Sequence, residues 1–285
     1  MSVIRNAAAT SSSHVDEYPL GRSDAETRRL MLQHQIYSPI TRQFFVAAGI
    51  SRGMKVLDLG SGAGDVAMLC ADLVGPEGAV VGIDANGQIL DFARRRVEAT
   101  GYRNVEFHEG DIRNLDLPRD FDAVIGRWVL MYIEEPVELL EHIVKLIRPG
   151  GVVAFQESVD LKAAVHTYPR TPTHDAVRRW LDPPVSPPMP VLDMGQRLYA
   201  TFLEAGLERP SLRQDAPIGG GAEWPGYAFV AESARSLLPF MEQLGTVTAA
   251  EADVDTLEAR LRDEALEYDA VQVLPPVIGA WATKR

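Results

Sequence analysis

Asp58, Asp84 and Asp111 each stand in or just after a short apolar run, and Gly60, Gly62 and Gly64 follow the first of them. The stretch Val56-Leu57-Asp58-Leu59-Gly60-Ser61-Gly62-Ala63-Gly64 reads as a strand, a small-residue turn and the start of a helix. Such a turn leaves backbone N–H groups free at the positive end of a helix, where the main chain can approach a ligand. Asp84, followed by Ala85, has the spacing from the glycines of an acid that holds ribose hydroxyls. Asp65 stands where the dinucleotide pattern G-x-G-x-x-G wants its third glycine, so the turn suits a nucleoside cofactor lacking a pyrophosphate. As an alternative, Asp84 can cap the helix beginning at Ala85. Asp111, before Ile112, is placed to accept from an adenine amino group, although an aspartate after a glycine also serves as a turn former. Asp58 is costly inside a buried strand without a cationic or N–H partner. The ammonium of an amino-acid moiety would be such a partner.

The elements that position these residues alternate. Strands are expected at Lys55–Leu59, Ala79–Ile83, Val105–His108, Phe121–Ile125 and Val152–Phe155. Helices are expected at Asp65–Leu73 and Gly87–Ala99, with a third starting at Pro136, carrying Leu140, Ile143, Val144 and Ile147, and stopping at Pro149-Gly150-Gly151. Alternation of this kind implies an α/β fold with a doubly wound parallel sheet. Before it, Asp24 to about Gly49 reads as two helices divided at Ser38-Pro39. After it, residues 165–190 are proline-rich and enclose a short helix ending near Trp180. Then come a helix at Met194–Ala205, a strand at Ser211–Ala216, helices at Tyr227–Leu244 and Ala249–Glu267, and a last strand at Val277–Thr283.

Composition narrows the function. Over 285 residues, 28 Lys and Arg against 40 Asp and Glu give a net charge of −12, which disfavours a nucleic-acid partner. The longest basic run, Arg94-Arg95-Arg96, reads as the solvated face of a helix. The single cysteine, Cys70, excludes an internal disulfide and fits a reducing cytoplasm. No apolar stretch has membrane length, so a soluble cytoplasmic protein is expected. The opening residues are Ala/Ser-rich without a hydrophobic signal core and read as a disordered tail. His108, His142, His166 and His174 share no ligand spacing with Cys70 or a carboxylate cluster, so no metal is expected. No G-x-S-x-G elbow is present for a hydrolase nucleophile. Homo-oligomerisation is left open.

Taken together, Asp58 to Gly64, Asp84, Gly110-Asp111, Arg127 to Tyr132 and Arg148-Pro149-Gly150-Gly151 resemble the ordered motifs of class I S-adenosylmethionine-dependent methyltransferases. Tyr18-Pro19-Leu20-Gly21 with Glu26 to Gln33 is similar to a lid of the bacterial small-molecule members. The resemblance implies a Rossmann-like seven-stranded sheet with its last strand antiparallel, and S-adenosylmethionine over the carboxyl ends of the early strands. On that pattern Gly60, Ser61 and Gly62 face the methionine part, with Asp58 near its ammonium. Asp84 and Ala85 face the ribose, Asp111 and Ile112 the adenine, while Tyr18 and Gln33 close over the cofactor. Arg127 stands where the family often has a small or polar residue, and is counted with the cofactor residues. The implied organisation is a tail at 1–17, a helical lid at 18–50, the cofactor core at 51–164, and at 165–285 cap insertions with the end of the sheet.

Methyl transfer is an in-line displacement, so the protein chiefly supplies alignment and dehydration. Glu157, just past the fifth strand, and His166 are the candidate general bases, although a strand-exit carboxylate commonly caps or pairs and a loop histidine is commonly solvated. Trp128, Tyr132, Trp180, Trp224 and Tyr227 are candidates for an apolar acceptor cavity. The expected reaction is methylation of O, C or N on a small, largely apolar metabolite, in the setting of secondary metabolism. Two alternatives are a cofactor-binding member of the same fold repurposed to steer a cyclisation, and a nicotinamide-dependent oxidoreductase. Asp65 and the lack of a Tyr-x-x-x-Lys arrangement weigh against the second.

Overall fold

The structure, a computed structural model, describes residues 5–6, 24–159, 166–181 and 191–285. Apart from Arg5 and Asn6, the expected tail lies outside the described residues, as do Tyr18 to Gly21 and residues 182–190 of the proline-rich stretch. β1 (Arg5–Asn6) pairs with β5 (Leu115–Asp116) as a separate antiparallel ribbon. The main chain of elements runs α1 (Asp24–Ala47), β2 (Lys55–Leu59), α2 (Asp65–Val74), β3 (Ala79–Asp84), α3 (Gly87–Thr100), β4 (Val105–Glu109), β6 (Phe121–Arg127), α4 (Pro136–Val144) and β7 (Ile147–Ser158). It continues through β8 (His166–Tyr168), α5 (Pro172–Trp180), α6 (Met194–Glu204), β9 (Ser211–Asp215), β10 (Ile218–Gly219), α7 (Gly226–Gln243), α8 (Ala249–Ala252), α9 (Leu257–Glu267), β11 (Val271–Val273) and β12 (Val277–Thr283).

Seven strands form one sheet in the order β4-β3-β2-β6-β7-β12-β9. β4, β3, β2, β6 and β7 are parallel, while β12 runs antiparallel to both of its neighbours. The sheet is therefore the expected seven-stranded, doubly wound one with an antiparallel last strand. Alternation along each strand divides the core. Leu57, Leu59, Val81, Val124 and Phe155 pack with α4 and α6 on one face. Val56, Val80, Ala123 and Ile125 pack with α2, α3 and the end of α1 on the other. A third cluster unites Tyr37 of α1 with α7 and α9 and forms the cap. A small sheet of order β10-β11-β8 completes that cap.

Four expectations about elements are corrected. α1 is one helix through Ser38-Pro39 rather than two. Pro39 is exposed, so the Gln35 carbonyl that lacks its helical donor faces the solvent side, while Ile36, Tyr37, Phe44 and Phe45 stay buried on the other side. That packing outweighs the ~3 kcal/mol cost of an interior proline. α4 stops at Val144, and Ile147 begins β7, paired with Phe121. A register shift between Phe121 and Ala123 lets Pro149-Gly150-Gly151 pass within the strand. The 249–267 helix is two, because Asp253 takes a left-handed conformation at φ 39°. Asn86, not Asp84, caps α3, its Oδ1 accepting from the Gln88 and Ile89 N–H groups.

Candidate functional site

The carboxyl ends of β2, β3 and β6 converge under α1. Gly60 and Gly62 both have positive φ, 62° and 50°, for different reasons. A Cβ on Gly60 would stand 2.6 Å from Val129 Cγ2, so the turn is packed tightly against the loop after β6. A Cβ on Gly62 would meet only the Gly60 carbonyl at 3.9 Å, so its outer side is open to a ligand. Asp84 reaches across from β3. Its Oδ2 accepts from the Gly62 N–H at 2.9 Å and its Oδ1 from the Asn86 N–H at 2.9 Å. Burial raises its pKa, opposed by those two N–H donors.

Asp58 is buried, and among the described residues neither of its oxygens nor the nearby buried Ser61 hydroxyl has a hydrogen-bond partner. Burial lifts the Asp58 carboxyl well above its usual range, with the Arg127 charge pulling the other way. Arg127 ends β6 almost wholly buried, donating from Nη1 to Thr41 Oγ1 of α1 at 3.0 Å. Thr41 in turn donates to Gln156 Oε1 at 2.7 Å.

Three residues that sequence reasoning missed complete this wall. Arg96 is not part of a solvated face: its Nη1 donates to the Ala63 carbonyl at 2.7 Å and pairs with Asp65 Oδ1 at 2.6 Å, tying α3 to the glycine turn. From α1, His34 Nδ1 lies 3.6 Å from the same Asp65 oxygen, and burial lowers its pKa. The third is Thr41. The signal for the α1 pair was helical spacing, since His34, Tyr37, Thr41 and Phe44 share the stripe that faces the sheet.

Other expected cofactor residues are spread around this wall. Gln33 is on α1, its Oε1 accepting from Arg29 at 2.7 Å. Ala85 is exposed after β3, and Ile112 is buried in the core. Asp111 makes a two-toothed ion pair with Arg113, which holds its carboxyl below the usual range. Tyr18 lies outside the described residues.

The two candidate bases are not brought together. Glu157 is fully buried, and its Oε1 accepts from the Val129 and Leu130 N–H groups at 3.0 and 2.8 Å, leaving Oε2 without a partner. Burial raises its pKa to about 7, opposed by those N–H groups. This carboxylate fixes the turn that carries Trp128, whose φ of 56° is unusual for a bulky side chain. Trp128 is held by Tyr37, edge-on at 4.9 Å, and by the Arg127 guanidinium at 5.1 Å from its ring centre. His166, in contrast, is exposed on β8 in the small cap sheet.

Of the five candidate acceptor aromatics, Trp180, Trp224 and Tyr227 join the cap cluster, Trp128 packs against both that cluster and the one formed with α4 and α6, and Tyr132 packs on the latter. Tyr227 is buried with an unpartnered hydroxyl. Trp224 Nε1 donates to Gln272 Oε1 at 2.7 Å, and Gln272 Nε2 then donates to His174 Nε2 at 2.8 Å. His174 Nδ1 is 2.8 Å from Thr171 Oγ1, so the chain of bonds requires the neutral Nδ1–H tautomer. Burial lowers the His174 pKa to about 4. A cavity of about 540 Å³ opens between α1, α7 and α9, lined by Met31, Leu32, Ala228 and Glu258 among others, and takes no residue from the glycine turn. Among the described residues no group of three or more His, Cys, Asp or Glu side chains could hold a metal, and no helix is long and apolar enough to cross a membrane.

Residues 50–206 match a family model described as a methyltransferase domain. An arsenite methyltransferase of Halobacterium salinarum is 36% identical over 113 residues, which are 39% of this chain and 29% of that protein. The ubiquinone/menaquinone biosynthesis C-methyltransferase UbiE of Coxiella burnetii is 36% identical over 107 residues, 37% of this chain and 43% of its own length. The matched segments thus span less than half of either relative. Among solved structures, the 4+2 cyclase SpnF superposes with a TM-score of 0.53 at 19% identity, covering 88% of this chain and 81% of that one, a likeness of fold.

Proposed function

Because this chain belongs to the class I S-adenosylmethionine-dependent methyltransferase family, we propose that it moves a methyl group from S-adenosylmethionine to an oxygen, carbon or nitrogen of a small, largely apolar metabolite. One observation carries the cofactor reading. The Asp84 carboxylate is hydrogen-bonded to the Gly62 N–H across the turn, beside a glycine whose outer side is open. A carboxylate held in this way at a strand end is positioned to accept from ribose hydroxyls. The orphaned Asp58 and Ser61 groups fit a polar ligand end beside it.

The bound sulfonium supplies an activated methyl group to an in-line nucleophile. The chain's own residues position and dry that reaction. Gly62 admits the ligand to the backbone, Gly60 lets the turn pack on Val129, and α1 covers the strand ends through Thr41 on Arg127 and His34 beside Asp65. Glu157 positions the Trp128 turn through its bonded oxygen. Residues 18–50 act as lid, 51–164 as cofactor core and 165–285 as acceptor cap with the closing strands. The aromatic cap cluster around Trp128, Trp180, Trp224 and Tyr227 supports an apolar acceptor. Cys70 is the chain's one cysteine and is buried, so a multi-thiolate site for arsenite cannot be built from these residues.

Calorimetric titration with S-adenosylmethionine and with NADH tests the cofactor. Binding of the first alone is expected, and binding of NADH alone would replace this reading with the oxidoreductase one. Asp84→Ala should weaken S-adenosylmethionine by about 1–3 kcal/mol, the scale of lost charge-assisted hydrogen bonds. An unchanged dissociation constant removes Asp84 from the ribose site. Incubation with methyl-labelled donor and a panel of apolar phenols, acids and amines tests transfer.

A further inference from the structure

β9 ends the main sheet, bonded to β12 on one side and to no strand on the other among the described residues. Ser211, Leu212 and Gln214 are exposed, Leu212 at 50%, and Pro210 and Pro217 flank the run. An open edge presents peptide N–H and C=O groups to any strand that can lie beside it, and unpaired charge is the usual guard against that. On β9 the two charges cancel. Arg213 Nε and Nη2 donate to Asp215 Oδ2 and Oδ1 at 2.6 and 2.9 Å. Both side chains leave the face covered by α1, where Arg213 Nη2 also donates to Gln43 Oε1 at 2.8 Å. Leu212 and Gln214 leave the other face, since Leu212 is opposite Ala280, which packs with α6. Tyr199 and Leu203 of that helix are exposed as well.

The order of these residues is self-complementary. In an antiparallel pair about a two-fold axis normal to the sheet, opposite residues lie on the same face, so the axis passes through one residue and its copy. An axis at Arg213 or Asp215 sets like charges against each other. One at Ser211 or Leu212 sets Arg213 against Arg209 or Ser211. Within β9, only an axis at Gln214 sets Arg213 opposite the partner's Asp215 and Asp215 opposite the partner's Arg213. We infer that this edge is the docking surface for a second copy of the chain, β9 pairing with β9 antiparallel about Gln214 and joining two seven-stranded sheets into one. The two ion pairs become a ring of four alternating charges, and Leu212 comes to face the partner's Ala216 across the ladder. β7 and β12 separate β9 from the strands of the candidate site, so the dimer and the cofactor reading stand or fall separately.

Sedimentation equilibrium of the full chain at micromolar concentration should give twice the chain mass. Arg213→Asp and Asp215→Arg each place four like charges around the axis and should raise the dimer dissociation constant about 100-fold, whereas the double reversal restores it. Cysteine crosslinking tests the register. Two copies of Gln214→Cys would meet on the axis with Cα atoms roughly 4.5–5.5 Å apart, within disulfide reach. Two copies of Leu212→Cys would stand roughly 13 Å apart along the ladder. Cys70 is the chain's one cysteine and is buried, so it does not compete. Mild oxidation should therefore crosslink Gln214→Cys and leave Leu212→Cys as single chains in denaturing electrophoresis. A single-chain mass for the wild type overturns the interface. So does a dimer that survives both charge reversals, or one in which Leu212→Cys crosslinks and Gln214→Cys does not. Should a charge reversal fail to fold, the crosslinking pair decides.

Discussion

Gly62→Leu should fold and yet lose S-adenosylmethionine binding by 100-fold or more, on the order of 3 kcal/mol. A Cβ at this glycine has open space on its outer side, so the side chain meets no core residue, and its φ of 50° adds only the ~1–2 kcal/mol strain of a left-handed residue. The branched side chain would then fill the place against which the ligand's backbone contacts form. Gly60 gives the contrast. A side chain there drives into Val129, so Gly60→Leu should lower the melting temperature sharply, whereas Gly62→Leu should shift it by a few degrees. Thermal unfolding together with calorimetry separates the two effects. Tight binding by Gly62→Leu would place the ligand elsewhere.

Two buried titrating groups should make stability depend on pH in opposite senses. Burial lifts the Glu157 pKa to about 7 in the folded chain from the 4.5 of a free glutamate. Its contribution is therefore fully present below 4.5 and is lost as pH rises through 7. His174 has a folded pKa of about 4 against 6.5, so its contribution is present above 6.5 and is lost as pH falls through 4. At ~1.4 kcal/mol per unit each effect approaches ~3 kcal/mol. In the wild type the two largely offset each other between pH 4.5 and 6.5, and single variants expose them. Glu157→Gln keeps an acceptor for the Val129 and Leu130 N–H groups and should gain stability relative to wild type between pH 4.5 and 8. His174→Gln should lose relative stability over the same rise. Urea midpoints at pH 4.5, 6 and 8 check both, and a difference from wild type that is constant across pH would rule out the assigned titrations. Glu157→Gln should also retain turnover, because the bonded oxygen serves the backbone.

Much of the sheet was legible because its strands are short apolar runs bounded by Gly, Pro and Asp, and hydrophobic period is a local property. The glycine turn and Asp84 were legible for the same reason, their spacing being confined to one β-α-β unit. What escaped was tertiary. Arg96 looks like one of three surface arginines until α3 docks and brings it to the Ala63 carbonyl and Asp65. His34 and Thr41 gain meaning only when α1 lies over the strand ends, and the unbroken α1 itself was hidden by Pro39, whose local cost is outweighed by aromatic burial at distant positions. The boundary at Ile147 failed because its apolar spacing suits both α4 and β7, and pairing with Phe121 decides between them.

β12 follows β9 in the chain but lies between β9 and β7, bonded to β7 along Val277–Thr283 and to β9 along Val277–Trp281. During synthesis, β9 therefore emerges before the strand that joins it to the sheet. Until Val277–Thr283 arrives, β7 presents an open edge of unpaired peptide groups, and β9 has no other strand partner among the described residues. Order of translation and order of assembly are thus uncoupled on this side of the molecule, and final closure waits on a segment translated after almost everything it must bridge.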